Sequence, residues 1–249
     1  YMYSYERENP SFAYLISQVY DEKVVIASSE NETIYTNNLG EAKRFFYEKM
    51  IDMDVNQLEE VYTKITQHFL FNMYIISDDI DVYVTFETMN NRGKPLSNLE
   101  LLKNRLIYVS TLLNVADADK SRLRRDINEC WKKIYHILGK SKERVLLDDE
   151  FLVTHFMLYF AKNIDELEKE SYTRRYDHLG QWQSNYLLND YFVVQKIFDK
   201  SLTIEDCFNY IQSLSECIDF WGDIKNPLSS KYDDEIKEYI CLLYTSDAA

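Results

Sequence analysis

The residues whose types and spacing could bind a ligand lie in one short segment before a predicted helix. Arg92 and Lys94 are positively charged and flank Gly93, which permits a tight turn, while Asn90 tolerates left-handed backbone angles. Ser97 is a candidate N-cap. A turn that leads into a helix N-terminus presents free backbone N–H groups to which an anion can bind. The segment therefore predicts either an anion site or a turn and cap with only a structural role.

No other set of residues forms a catalytic or metal-binding pattern. The four cysteines form no CxxC pair and have no histidine at ligand spacing, so they are predicted to be reduced thiols. His155 lies among aromatic residues and is predicted to be a buried core histidine. The acidic triplet Asp148, Asp149 and Glu150 precedes a helix, where carboxylates interact favourably with the helix dipole. We assign no catalytic residue and no metal ligand.

The helix after the turn is the best-defined element in the sequence. Ser97 and Glu100 form a capping box, and leucines and valine follow at steps of three and four to residue 113. A short helix that reaches Val19 is predicted after its candidate cap, Ser11. Further helices are predicted at residues 39–51 (capped by Asn38), 54–67, 119–138, 149–162 and 203–225. The last of these ends before Asn226-Pro227.

The predicted fold class is mainly α with a small β component. Residues 69–76 are short, apolar and β-prone and predict a strand, and residues 22–36 predict a loop or short hairpin. Residues 78–90 fit a strand or a helix equally. Two N-terminal helices are predicted to direct an apolar face inward. The side chains predicted to face inward are Leu39, Ala42, Phe45, Phe46 and Met50 on the first helix and Val55, Leu58, Tyr62 and Ile65 on the second.

Composition limits the possible partners. The net charge of -14 repels phosphate backbones, so little DNA binding is expected from the chain. Basic residues between 92 and 105 and between 122 and 133 form either solvated helix faces or a small phosphate-facing patch. No apolar stretch approaches the roughly 20 residues that span a bilayer. No membrane association and a cytoplasmic location are therefore expected.

The segment 86–104, FETMNNRGKPLSNLELLKN, resembles the second signature of the N-terminal domain of GmrSD-type, modification-dependent restriction endonucleases. That signature has the form F-E-x-[LIM]-N-x-R-G-x-x-L-S, followed by an acidic residue, Leu, [LI], Lys and Asn. Weaker similarity extends along most of residues 5–227. It includes Asn9-Pro10-Ser11, Asn37-Asn38-Leu39, Asp149-Glu150-Phe151-Leu152 with His155, and Leu202-Thr203-Ile204 with Asn209-Tyr210-Ile211.

The resemblance implies a ParB/sulfiredoxin-like domain that binds and hydrolyses a nucleoside triphosphate, with Mg²⁺ as a candidate cofactor, in a parent protein that acts on DNA. It implies a nucleotide-binding role for Asn90, Arg92, Gly93, Lys94 and Ser97. The family's first signature, D-G-Q-Q-R, supplies the chemistry and does not occur in residues 1–249. The chain is thus expected to be a fragment that is inactive alone. The alternative is a helical scaffold or partner-docking module with no nucleotide role.

The expected domain organisation has three parts. Residues 1–115 form the C-terminal part of the ParB-like domain, residues 116–242 form a helical bundle region, and residues 243–249 form a non-native tail. The tail resembles translated adapter sequence from a metagenomic assembly.

Overall fold

The computed structural model describes residues 10–21, 33–70, 96–140, 146–161, 181–225 and 232–239. The chain divides into two compact units, residues 1–80 and 81–249. Helices in the first unit are α1 (Pro10–Tyr14), α2 (Ile34–Met50) and α3 (Val55–Thr63). Those in the second are α4 (Asn98–Leu112), α5 (Asp117–Lys140), α6 (Asp148–Tyr159), α7 (Gln181–Tyr186), α8 (Val194–Phe198), α9 (Ile204–Lys225) and α10 (234–239). Single π-helical turns extend α1, α3 and α7 at Leu15–Val19, Lys64–His68 and Leu187–Tyr191.

Capping residues decide where the helices of the first unit begin. The helix predicted to start after Asn38 begins earlier, at Ile34, because Thr33 and Thr36 form a reciprocal capping box. Asn38 therefore lies inside α2. Ser11 is likewise not an N-cap, since α1 already begins at Pro10, a residue well suited to the first helical position.

The apolar faces predicted to point inward on α2 and α3 are largely exposed. Phe46 is 60% exposed, Tyr62 is 67% exposed, and Phe45, Val55 and Ile65 are also exposed. In the first unit, burial among the described hydrophobic residues is confined to Leu15 and Ile16. Helical periodicity correctly predicted the helices, but it does not guarantee a packing partner, and the predicted inward orientation is wrong for these side chains.

In the second unit, α4 is built into a large hydrophobic core. Its predicted inward face, Leu99, Leu102, Leu106, Val109 and Leu113, is buried as expected. Helices α5, α6 and α9 pack around the same core, and α5 and α9 pack against each other along their length. Helical spacing in the sequence also predicts inward faces on α5 and α6, and most of their residues are buried: Leu123, Ile127, Cys130, Trp131 and Ile134 on α5, and Phe151, Leu152, His155 and Phe156 on α6.

Helical spacing in the sequence predicts that α9 turns Cys207, Phe208, Ile211, Leu214, Ile218 and Trp221 inward. Of these, Phe208 is only partly buried, and the Arg122 guanidinium lies 5.0 Å from its ring centroid. Tyr210, which this pattern leaves out, is completely buried. A tyrosine can occupy such a position because most of its surface is apolar.

The described residues are mostly helical and contain no strand. The predicted β component is therefore not seen among them. Within the predicted strand 69–76, Phe69 and Leu70 are described and are neither helix nor strand, while residues 71–76 lie outside the described residues. The ambiguous segment 78–90 also lies outside them, as do residues 22–32 of the predicted loop or hairpin. None of the described helices is long and apolar enough to cross a membrane.

Helix α4 was assigned to the first predicted domain, residues 1–115, but it packs into the core of the second compact unit. The boundary at residue 115 and the non-native tail at 243–249 stay predictions.

Candidate functional site

Most of the predicted anion site lies outside the described residues. Asn90, Arg92, Gly93 and Lys94 all belong to that part of the chain, whereas Ser97 is described. The Ser97 backbone is extended, with φ -67° and ψ 158°, as expected for an N-cap. Of the predicted site, the structure therefore describes only Ser97 and the start of helix α4.

The capping box predicted from the sequence is present at this position. Ser97 Oγ accepts a hydrogen bond from the Glu100 N–H at 3.2 Å, and Glu100 Oε2 accepts one from the Ser97 N–H at 3.1 Å. These bonds satisfy two of the N–H groups that every helix leaves free at its N-terminus.

The remaining N–H groups are satisfied by a carboxylate from another helix. Asp149, in the first turn of α6, accepts a hydrogen bond at Oδ1 from the Leu99 N–H, with a distance of 3.1 Å. Its Oδ2 accepts one from Asn98 Nδ2, also at 3.1 Å, and the Asn98 backbone N–H interacts with the same carboxylate. The first-turn amides of α4 therefore already hold an anionic group that belongs to the chain itself.

The environment of Asp149 shifts its ionisation. Partial burial raises the pKa of Asp149 above its ordinary value, and the hydrogen bonds from Leu99 and Asn98 oppose this shift. The neighbouring Asp148 raises the pKa further because two carboxylates repel each other. The Asp149 carboxyl group therefore occupies the point where a phosphate was predicted to bind, although its surroundings make it harder to ionise than a free aspartate.

The Leu99 backbone is held on its carbonyl side as well. The indole N–H of Trp131, a buried residue of α5, donates a hydrogen bond to the Leu99 carbonyl oxygen at 3.2 Å. Both backbone groups of Leu99 are therefore bonded to residues of the region that follows α4 in the chain.

The basic residues on α5 lie beside acidic or polar partners. Lys133 Nζ lies 2.6 Å from both the Ser215 carbonyl oxygen and Asp219 Oδ2, and Arg122 Nε lies 3.8 Å from Asp126 Oδ2. Arg122, Asp126, Lys133 and Ser215 border a groove of about 550 Å³ between α5 and α9. Since its charged side chains neutralise one another, the groove supports the interpretation of a solvated helix face rather than a phosphate-facing patch.

His155 is a core residue, as predicted. It is 1% exposed, its Nε2 lies 3.1 Å from Ser213 Oγ, and its ring centroid is 5.0 Å from that of Tyr210. Burial lowers the pKa of His155 to about 4, which keeps the ring neutral near neutral pH. Its Nδ1 is buried without a hydrogen-bond partner, which favours packing over a catalytic role.

The described cysteines are free thiols, of which Cys130 and Cys207 are buried and Cys217 is half-buried. Among the described residues, no group of three or more His, Cys, Asp or Glu side chains is placed to hold a metal ion.

The cap formed by Asp149 was missed by sequence reasoning. The acidic triplet at 148–150 was recognised, but its carboxylates were expected to interact only with the dipole of their own helix. No local pattern indicates that one of them reaches a helix start 50 residues earlier in the chain.

Among the described residues, these features define a predominantly helical architecture in which the start of α4 is capped by a carboxylate from α6. Residues 2–107 match the family described as GmrSD restriction endonuclease, N-terminal domain. The match confirms the resemblance drawn from segment 86–104 and relates the chain to restriction enzymes. It covers less than half of the chain and ends inside α4. No curated protein and no solved structure matches the chain.

Proposed function

We propose that the chain is part of a cytoplasmic, nucleotide-dependent restriction or anti-phage defence protein. Within it, the segment around Arg92 forms one wall of a nucleoside triphosphate site. The observation that supports this proposal is the family match over residues 2–107, which includes the whole F-E-x-x-N-x-R-G signature and the helix start. The nucleotide, bound together with Mg²⁺, is the ligand of the whole protein, and DNA is its target.

In this proposal, Arg92 and Lys94 supply the positive charge that meets the phosphates. Gly93 permits the turn, and Asn90 ends the preceding element. Ser97 contributes as the N-cap that starts α4. The helix start does not fit a phosphate as it stands, because Asp149, Ser97 and Glu100 satisfy its first-turn N–H groups. Phosphate contacts are therefore assigned to the Arg92 and Lys94 side chains.

The proposal assigns no catalytic residue to residues 1–249. The family's D-G-Q-Q-R signature does not occur in them, so the purified chain is expected to bind a nucleotide without hydrolysing it. The net charge of -14 opposes extensive contact with DNA by this chain. Recognition of DNA is therefore placed elsewhere in the whole protein.

The decisive experiment is titration of the purified chain with each of the four ribonucleoside triphosphates and Mg²⁺, followed by calorimetry. Arg92→Ala is expected to weaken binding by at least about tenfold, which corresponds to about 1.4 kcal/mol. Arg125→Ala is the matched control, because Arg125 is an exposed arginine in the other basic segment. Equal affinity of the two variants, or no binding by the wild-type chain, would refute the nucleotide role.

A second candidate function, a partner-docking scaffold, is favoured by one specific observation. Val55, Leu58, Tyr62 and Ile65 form an exposed apolar stripe along α3, and exposed apolar stripes of this kind are typical of interaction surfaces. This candidate is preferred if no nucleotide binds and the wild-type chain self-associates in sedimentation while Tyr62→Ser does not. A monomeric chain that binds a nucleotide would exclude it.

A further inference from the structure

Helix α3 is exposed on all sides. Neither the nine residues Val55–Thr63 nor the five residues of its π-helical extension, Lys64–His68, include a buried residue. No other described helix packs extensively against them. Isolated helices shorter than about 12–15 residues are only marginally stable in water, because most of the stability of a protein helix comes from packing of its apolar face. Helix α3 therefore requires a surface to pack against.

The apolar side chains of α3 lie on one side of the helix. We call the following exposed residues, which recur at steps of three, four and three, the α3 stripe: Val55, Leu58, Tyr62 and Ile65. The ion pair between Glu60 and Lys64, with an N–O distance of 2.6 Å, lies on the opposite side of the helix. Alternating steps of three and four are the spacing of a seam between two paired helices. The α3 stripe therefore has the pattern of a contact with one other helix.

The exposed apolar area is large enough for such a contact. Val55 is 70% exposed and Tyr62 is 67% exposed, and the apolar surface continues beyond the helix at Phe69 and Leu70. Since a large side chain presents about 150–250 Å², the stripe and these two residues leave on the order of 700 Å² exposed. Two such surfaces together would bury about 1,400 Å², which is within the range of about 1,200–2,000 Å² for specific protein interfaces.

The α3 stripe is also complementary to itself. Its spacing is the same when counted from either end of the helix, with the centre at residue 60. A two-fold axis near this residue would join two copies of α3 in opposite directions. Val55 of each copy would then contact Ile65 of the other, and Leu58 would contact Tyr62.

The charges beside the α3 stripe favour this antiparallel direction. In a parallel pair, Asp54 of each copy would lie beside Glu59 of the other, so two like-charge contacts would form. An antiparallel pair leaves one such contact, between the two Glu59 side chains, and brings each Asp54 toward His68 of the other copy. It also places the positive end of each helix dipole beside the negative end of the other.

We propose that the chain forms a two-fold symmetric dimer in which α3 packs antiparallel against α3 of a second copy. The second copy covers the α3 stripe and supplies the packing that α3 lacks. This dimer is independent of the nucleotide site, and it names the partner for the docking role that the exposed stripe favours.

Sedimentation equilibrium of the full 249-residue chain tests the dimer. Between about 1 µM and about 200 µM, wild type is expected to pass from monomer to dimer, with a Kd in the micromolar range. Tyr62→Ser is expected to raise the Kd at least about tenfold. Tyr47→Ser is the matched control, because Tyr47 lies on α2 and is exposed to a similar extent, 61%. A wild-type chain that stays monomeric, or an equal effect of the two variants, would overturn the proposal.

Amide hydrogen exchange of the wild-type chain tests the interface without a substitution. The amides of α3 are expected to exchange about tenfold more slowly at the highest concentration than at the lowest, because dimerisation stabilises the helix. The amides in the middle of α9 belong to the core of the second unit, so their exchange should not depend on concentration. Exchange in α3 that is unchanged while the chain becomes dimeric would place the interface elsewhere and refute the α3 contact.

Disulfide cross-linking determines the direction of the two helices. In the antiparallel pair, residue 55 of one copy meets residue 65 of the other, whereas the two copies of residue 55 lie about 15 Å apart along the axis. A disulfide requires Cα atoms within about 7 Å. A mixture of Val55→Cys and Ile65→Cys is therefore expected to form linked dimers that peptide mapping can assign, while Val55→Cys alone should not exceed the background of wild type. Efficient linkage of Val55→Cys to itself would indicate a parallel pair and contradict the proposed dimer.

Discussion

Protonation of His155 provides a sharp test of the packing of the second unit. The ring lies within the core between α6 and α9, where its centroid is 5.7 Å from that of Tyr159 and 5.0 Å from that of Tyr210. Its Nε2 lies near Ser213 Oγ, and its Nδ1 has no hydrogen-bond partner. A positive charge at this position would lose its hydration without gaining a counter-ion, so the folded state disfavours the protonated ring.

The direction and size of the effect follow from the pKa of His155, which burial lowers from 6.5 to about 4. The unfolded chain therefore binds a proton at His155 more readily than the folded chain does between these two values. Stability is fully present above the unfolded pKa and is lost as the pH falls through this window. Between about pH 7 and about pH 5, the loss amounts to roughly 2 kcal/mol, since one pKa unit corresponds to about 1.4 kcal/mol.

The free energy of unfolding should be measured by urea titration at several pH values for wild type and for His155→Gln. Glutamine cannot be protonated in this range, and its amide can still reach Ser213. The stability of wild type relative to His155→Gln is expected to decline by about 2 kcal/mol on acidification to about pH 5. Comparison with the variant cancels the contributions of the other titrating groups.

A constant difference in the free energy of unfolding between the two proteins across this pH range would contradict this prediction. It would mean that the folded chain binds a proton at His155 as easily as the unfolded chain does. The ring would then be accessible to water or near an acidic group, contrary to its packing among aromatic residues.

Two further predictions concern the same core. Gly222→Ala is expected to destabilise the chain, because the added Cβ would overlap Ile137 Cγ2. Such overpacking costs about 1–3 kcal/mol, whereas the gain in helix propensity is roughly 1 kcal/mol. Gly40→Ala is the control, since its added Cβ meets only the end of the Tyr14 side chain, and an equal loss of stability in urea unfolding would contradict the prediction. Burial raises the pKa of both the Cys130 and the Cys207 thiol to about 12, so neither should react with a thiol reagent at mildly alkaline pH before urea unfolds the chain. Rapid labelling of either thiol in the folded chain would show that the core opens.

Several elements were predictable because their determinants are local. The Ser97–Glu100 capping box and the spacing of leucines identified α4, its start and its buried face correctly. The same patterns located α5, α6 and α9. Each of these features depends on residues no more than four positions apart, which is the range over which helix geometry acts.

Burial in the first unit was not predictable in this way. Periodic apolar residues correctly indicated α2 and α3, yet Phe46 and Tyr62 are exposed. A helical pattern shows that a face could be buried, but a second element must be available to cover it. Which elements meet is decided by the tertiary structure.

Local sequence patterns were enough to predict most helices of the described residues and the family to which residues 2–107 are similar. The packing of the core was needed to show that the Leu99 N–H at the start of α4 is bonded to Asp149 and that Trp131 donates a hydrogen bond to the Leu99 carbonyl oxygen. The difference lies in the distance along the chain between the residues that interact. Capping and periodicity act between neighbouring residues, whereas the occupant of a helix start depends on which distant side chain the packing of the core brings to it.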